Sequence, residues 1–250
     1  VCISEQYLLS VVVMSFGPPA MGYDRAITIF SPDGRIYQVE YAFEAVRRGW
    51  TTLGIKTKAG GALVVEKRKI SPLIDVTAVQ KIFRVDEHIG VTFAGIAGDG
   101  RVLIDYARII AIQHKFLYDE PISLEYLAKQ VCNVKQAYTQ HAGVRPFGVA
   151  MIFVGVDFKG PELFMTEPSG RYMSYYAVAL GERSQAATEY LEKNYRYDLS
   201  IKDTILLGVK ALSAALEEEV KPENLEIGYI DIEEKKFKIL SMEEISRLLS

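Results

Sequence analysis

Thr51-Thr52-Leu53-Gly54-Ile55-Lys56-Thr57-Lys58-Ala59-Gly60-Gly61-Ala62-Leu63-Val64-Val65-Glu66 is the stretch on which the fold turns. Thr52–Lys56 and Ala62–Glu66 are β-type runs separated by the turn-forming pair Gly60-Gly61, which predicts a hairpin. Upstream, Ile36, Val39, Phe43 and Val46 recur at helical spacing. That predicts an amphipathic helix over Ile36–Arg48, stopped by Gly49. Before it, Ser31-Pro32-Asp33-Gly34 fits a type I turn, with Pro second and Gly fourth. Downstream, Lys81–Val85 and Ile89–Ala94 read as a second strand pair.

Farther along, Leu103, Tyr106, Ala107 and Ile110 share one helical face, and Leu124, Leu127, Val131, Val134 and Tyr138 share another. These predict two successive helices of about 18 residues each. Strands return at Phe147–Val156, Glu162–Thr166, Tyr172–Tyr175 and Ala177–Leu180. A second helix pair follows near Ser184–Lys193 and Ser200–Glu218, the latter opened by a Ser200-x-x-Asp203 capping box. Leu225–Ile232 and Lys236–Leu240 predict a last hairpin, and Ser241-x-x-Glu244 caps a short final helix. Strands, helix pair, strands, helix pair, strands is not the alternation of a doubly wound sheet. It predicts an α+β fold: two antiparallel sheets face to face, each covered outside by a helix pair, a four-layer αββα sandwich.

The chain has 250 residues, 49% of them hydrophobic, and a formal charge of −3. That suffices for a sizeable core and excludes collagen-like, disordered and disulfide-scaffold classes. The mild charge points away from nucleic acid and anionic membranes. No apolar run reaches the length of about 20 residues that spans a bilayer. Cys2 and Cys132 lie far apart with no metal-ligand spacing, which suggests free thiols in a reducing compartment, the cytoplasm. The amino terminus leaves three readings open. Leu8–Met14 is an apolar arm, a disordered tail, or part of a leader (residues 1–13) ahead of a natural start at Met14 or Met21. Residues 1–22 are set apart as a tail broken by Gly17-Pro18-Pro19, and 23–250 as one domain.

Gly95-Ile96-Ala97-Gly98-Asp99-Gly100 resembles a phosphate loop only superficially. Arg101-Val102 follows where such a loop needs Lys and Ser or Thr, so a tight strand-to-helix turn is expected. His88, His114 and His141 stand singly, and no metal is predicted. Arg47-Arg48 and Lys67-Arg68-Lys69 read as a solvated face or an anion-reading rim. Taken alone, Lys81 reads as a surface lysine. A strand opening on Thr51-Thr52, with Glu66 and Lys81 brought near, matches the layout of a threonine nucleophile activated by its own amine. The plain alternative is that threonine favours strands.

Tyr23-Asp24-Arg25, Phe30-Ser31-Pro32-Asp33-Gly34-Arg35 and Gln38-Val39-Glu40-Tyr41-Ala42, then Gly143-Val144-Arg145-Pro146-Phe147-Gly148 and Glu167-Pro168-Ser169-Gly170, resemble proteasome α subunits of archaeal type. The resemblance covers about residues 21–250. It implies the N-terminal-nucleophile (Ntn) hydrolase fold, with the first helix across the top of a ring of seven α subunits stacked on catalytic β subunits. The nucleophile position of the β subunits falls on Trp50, so no catalytic residue and no cofactor are expected; a self-processed threonine peptidase is the alternative. Tyr23, Asp24, Pro32 and Tyr41 match the cluster that holds the gate open. Lys81 and Gly49 match the pocket that receives the carboxy-terminal tail of a regulatory AAA ATPase. Arg145 and Pro146 are assigned to ring contacts. The implied partners are other α subunits, β subunits, that ATPase and unfolded polypeptide substrates.

Overall fold

The hairpin of the opening stretch forms, and everything else packs around it. The computed structural model describes residues 29–68, 71, 73–217 and 220–249. Ser31–Gly34 closes as expected, with the Gly34 amide donating to the Ser31 carbonyl at 2.8 Å. Helix α1 (Tyr37–Arg47) leads to β1 (Thr52–Thr57) and β2 (Gly60–Glu66). Then come β3 (Ile82–Asp86), β4 (Ile89–Gly95), α2 (Ala97–Tyr118) and α3 (Leu124–Ala137). The second strand block is β5 (Val149–Asp157), β6 (Gly160–Thr166), β7 (Tyr172–Ser174) and β8 (Ala177–Leu180). Helices α4 (Ser184–Asn194) and α5 (Ile201–Leu216), strands β9 (Leu225–Asp231) and β10 (Phe237–Ile239), and helix α6 (Met242–Leu249) complete it.

Two five-stranded sheets result, ordered β10-β9-β2-β1-β8 and β3-β4-β5-β6-β7. All their pairings are antiparallel. Leu63, Val65, Ile82, Ile152 and Val154 fill the space between the sheets. Val91, Phe93, Met151 and Phe153 pack outward on Leu103, Ala107, Leu127 and Val131 of α2 and α3. Leu53, Ile55, Val64 and Ile227 pack the other way on Leu191, Leu207 and Leu212 of α4 and α5. Both faces of each sheet are therefore covered, which is why β1 and β2 are buried at every residue. Each fully buried leucine or isoleucine contributes about 1.5–3 kcal/mol. Gly54 lets the sheets approach: a Cβ there would lie 2.5 Å from Ile152 Cγ2.

The capping boxes act as predicted. Ser200 Oγ accepts the Asp203 amide, and Ser241 and Glu244 bond reciprocally, amide to side chain in both directions. Two expectations need correction. The helices of the first pair are unequal, 22 and 14 residues long. Helix α2 starts at Ala97, so Gly98 and Gly100 belong to its first turn; Gly100 lies against Phe93, where a Cβ would come within 2.9 Å of the ring. Helix α5 stops at Leu216 because Glu217 turns left-handed, at φ 57°. Among the described residues, no helix is long and apolar enough to cross a membrane.

Candidate functional site

The end of the sandwich where β1 and β3 begin holds Gly49, Thr51, Glu66 and Lys81. Helix α1 packs on β4 and β5, and the chain turns sharply from it into β1 through Gly49. A Cβ on Gly49 would lie 2.5 Å from the Gly95 nitrogen. Its carbonyl accepts the Glu182 amide at 2.9 Å. Gly49 is thus required by packing within the chain. Trp50 follows, half-buried.

The Thr51 nitrogen is a backbone amide that donates to a Glu66 carboxylate oxygen at 3.2 Å, while its hydroxyl is buried without a partner. The expected meeting of Thr51 with Glu66 therefore occurs, through the nitrogen. Glu66 is already committed. Arg68 donates to both its oxygens, at 2.5 and 3.0 Å, and reaches Glu182 as well, at 2.5 Å. Lys67 lies 3.9 Å from Glu226. Arg47 pairs with Glu44. Arg47, Lys67 and Arg68 are thus occupied by acids of the same chain, while Arg48 is exposed at the end of α1.

Lys81 is a correction to its reading as a surface lysine: it is 8% exposed. Its ammonium stands 3.9 Å from the ring centroid of Phe93 and 5.6 Å from that of Trp50. Ring faces attract a cation, yet they replace only part of its lost hydration. Burial lowers the amine to about 8, against the pull of the Glu226 carboxylate. Glu226 is itself 7% exposed and accepts the amides of Lys81 and Ile82 at 2.8 and 3.3 Å. Burial raises its carboxyl, opposed by those amides and by Lys67 and Lys81.

Of the other predicted residues, Pro32 is exposed in the turn before α1, and Tyr41 projects from α1, 52% exposed and stacked on Tyr37. Tyr23, Asp24 and the tail up to residue 22 lie outside the described residues. Lys81 lies against Trp50, the residue that follows Gly49. Arg145 grips Asp99 at the start of α2 with two bonds of 2.6 and 2.7 Å, and Asp99 also accepts the Gly148 amide. Burial works to raise the Asp99 carboxyl, but Arg145 and Gly148 outweigh it and hold it below the usual range. His88 and His114 line a cleft of about 650 Å³ beside the α2–α3 loop, and His88 Nε2 lies 2.8 Å from the Ile122 carbonyl oxygen. Among the described residues no three metal-type side chains come together.

Lys135 escaped the sequence reading. It is fully buried and bonds Val149 O, Thr166 O and Thr166 Oγ1 at 3.0, 3.4 and 2.8 Å. A signal existed: it lies four residues after Val131, on the apolar face of α3. Glu226 interrupts an apolar strand in the same way.

A family model described as "Proteasome subunit" matches residues 46–230. A second model, the N-terminal signature of A-type proteasome subunits, matches residues 23–45. The chain belongs to the proteasome α-subunit family. The proteasome alpha subunit of Sulfurisphaera tokodaii is 59% identical to it over 239 residues, covering 94% of this chain and 99% of its own length. That of Sulfolobus acidocaldarius is 62% identical over 239 residues, with the same coverage. The proteasome alpha subunit of Saccharolobus islandicus is 59% identical over 233 residues, covering 92% of this chain and 97% of its own length. The α-type signature takes in the Ser31–Gly34 turn and α1 as far as Ala45, and the general proteasome match runs from Val46 to Ile230, into β9 and short of β10 and α6.

Proposed function

We propose that this chain is a non-catalytic α subunit of a 20S proteasome core particle in the cytoplasm. Seven copies form the outer ring, which sits on β subunits, excludes folded proteins and admits unfolded chains when a regulatory ATPase docks. The observation that carries the non-catalytic reading is Trp50. An indole occupies the nucleophile position, and the next residue offers an acylated nitrogen already bonded to Glu66. A threonine nucleophile needs a free amine as its base. Glu66 is tied to Arg68, and the Lys81 amine faces rings.

Residues 14–22 with Tyr23, Asp24, Pro32 and Tyr41 act as the gate. Exposure of Pro32 and Tyr41 supports this, since both are available to a neighbouring protomer. Gly49 and Lys81 receive the tail of the ATPase, whose terminal carboxylate pairs with the ammonium. The buried free thiol of Cys132 agrees with a reducing compartment.

Co-expression with a β subunit tests the whole reading. The expected result is a joint barrel that hydrolyses peptides, with this chain alone inactive and its intact mass retaining the residues before Thr51. Hydrolysis by this chain alone that Thr51→Ala abolishes would instead establish the threonine-peptidase reading. Deleting residues 1–22 is expected to raise hydrolysis of long peptides by the barrel. Lys81→Ala is expected to remove stimulation by the ATPase tail while leaving assembly intact.

A further inference from the structure

Lysine at position 81 has a chemical capacity that a permanently charged side chain would lack. Its surroundings offer two ring faces, Phe93 from β4 and Trp50 from the entry to β1. The carboxylate that acts on it is Glu226 of β9, which already accepts two amides and lies 3.9 Å from the Lys67 ammonium. Glu66, at the end of β2, is held by Arg68. Both carboxylates are therefore committed before any ligand arrives. An ammonium buried among rings without a counter-ion of its own is disfavoured relative to the neutral amine. Burial accordingly lowers the Lys81 amine to about 8.

We propose that an anionic group docking at Lys81, specifically the free carboxylate at the end of a peptide tail, binds with uptake of one proton by the amine. The inference rests on the reading of Lys81 as the tail pocket and adds its regulation. The balance is simple: the neutral amine takes a proton from the buffer acid, one N–H bond forms on Lys81 as the buffer's bond to that proton breaks, and the ammonium pairs with the carboxylate. The arriving charge supplies the counter-ion that the rings do not. Arginine could not work this way, because a guanidinium does not give up its proton.

The sign follows from the amine's position near 8. Well below it the amine is already charged and docking takes up nothing. At pH 8 about half a proton is taken up per site, and between pH 7 and 9 affinity falls about tenfold.

The test is calorimetry on the assembled α–β particle. The probe is a short peptide ending in a hydrophobic residue, tyrosine and any residue, with a free carboxylate or an amidated end. Titrations at pH 8 are run in phosphate and in Tris, whose ionisation heats differ. The free-acid peptide is expected to give buffer-dependent heats equal to about half a proton per site. These should vanish at pH 6.5, and also in Lys81→Arg at pH 8. Tight binding of the free acid with equal heats in both buffers at pH 8 would overturn the proton coupling and leave the pocket standing. Equal binding of acid and amide, or no binding of either, would overturn the pocket and the coupling together.

Discussion

Lys81 and Lys135 are both buried lysines, and they have opposite surroundings. Lys135 finds three hydrogen-bond acceptors inside its own chain. Lys81 finds two aromatic rings. Burial lowers both amines, to about 7 and about 8. The Lys135 site works in either protonation state, because the Thr166 hydroxyl accepts from an ammonium and donates to a neutral amine. It is a finished structural device that ties α3 to β5 and β6. The Lys81 ammonium has no hydrogen-bonding acceptor of this kind among the described residues, and in the proposed function an anion from outside the chain supplies one. Burial alone therefore does not make two lysines alike; what distinguishes these two is whether the fold supplies acceptors for the charge.

The comparison can be broken first at Lys135. Lys135→Met should leave Val149 O, Thr166 O and the Thr166 hydroxyl without their donor, costing about 3 kcal/mol or more. Urea denaturation measures it, and a cost under a third of that would make the three bonds ornamental. Gly49→Ala should cost about 1–3 kcal/mol by overpacking, since the neighbour at 2.5 Å is backbone and cannot swing away. Asp99→Asn should cost about 1.5–3 kcal/mol through its charge-assisted bonds to Arg145 and Gly148. It acts at the same end of the sandwich without touching either lysine, and so measures what an ordinary ion pair there contributes.

At pH 7 Lys81→Met should change stability least, by under about 1 kcal/mol in either direction, because an apolar chain suits a ring-lined box. A loss as large as that of Lys135→Met would erase the distinction between the two sites. The pH dependence sharpens it. Both amines titrate lower in the folded than in the unfolded chain, so the unfolded chain binds more protons from about pH 7 to 10. Stability should rise with pH across that window. Lys135→Met should flatten the rise from about pH 7 upward, and Lys81→Met only from about pH 8.

Much of the architecture is legible in local chemistry. The Ser31–Gly34 turn, the Gly60-Gly61 hairpin and the Ser200 and Ser241 capping boxes each bring together groups within a few residues. Helix lengths were less legible. Glycines at 98 and 100 look like a loop, yet the close packing of Gly100 on Phe93 draws them into α2. Gly49, Trp50, Glu66 and Lys81 could be singled out from the sequence, but not the state in which the fold holds them. Arg68 silences Glu66 while also reaching Glu182, which lies 114 positions away.

The sequence by itself determined the order of elements, and with it the four layers, because hydrophobic periodicity, turns and caps are properties of neighbouring residues. Under the proposed function it also puts an indole, Trp50, at the position that resemblance to the family assigns to a threonine nucleophile. Only the tertiary structure decided which charges are satisfied. Lys135 meets Thr166, Glu226 meets the amides of Lys81 and Ile82, and Arg145 meets Asp99, across separations of 31 to 145 residues. Such meetings depend on how the sheets stack. A lysine's protonation is set by the groups that replace its water, and no local pattern records which groups those will be.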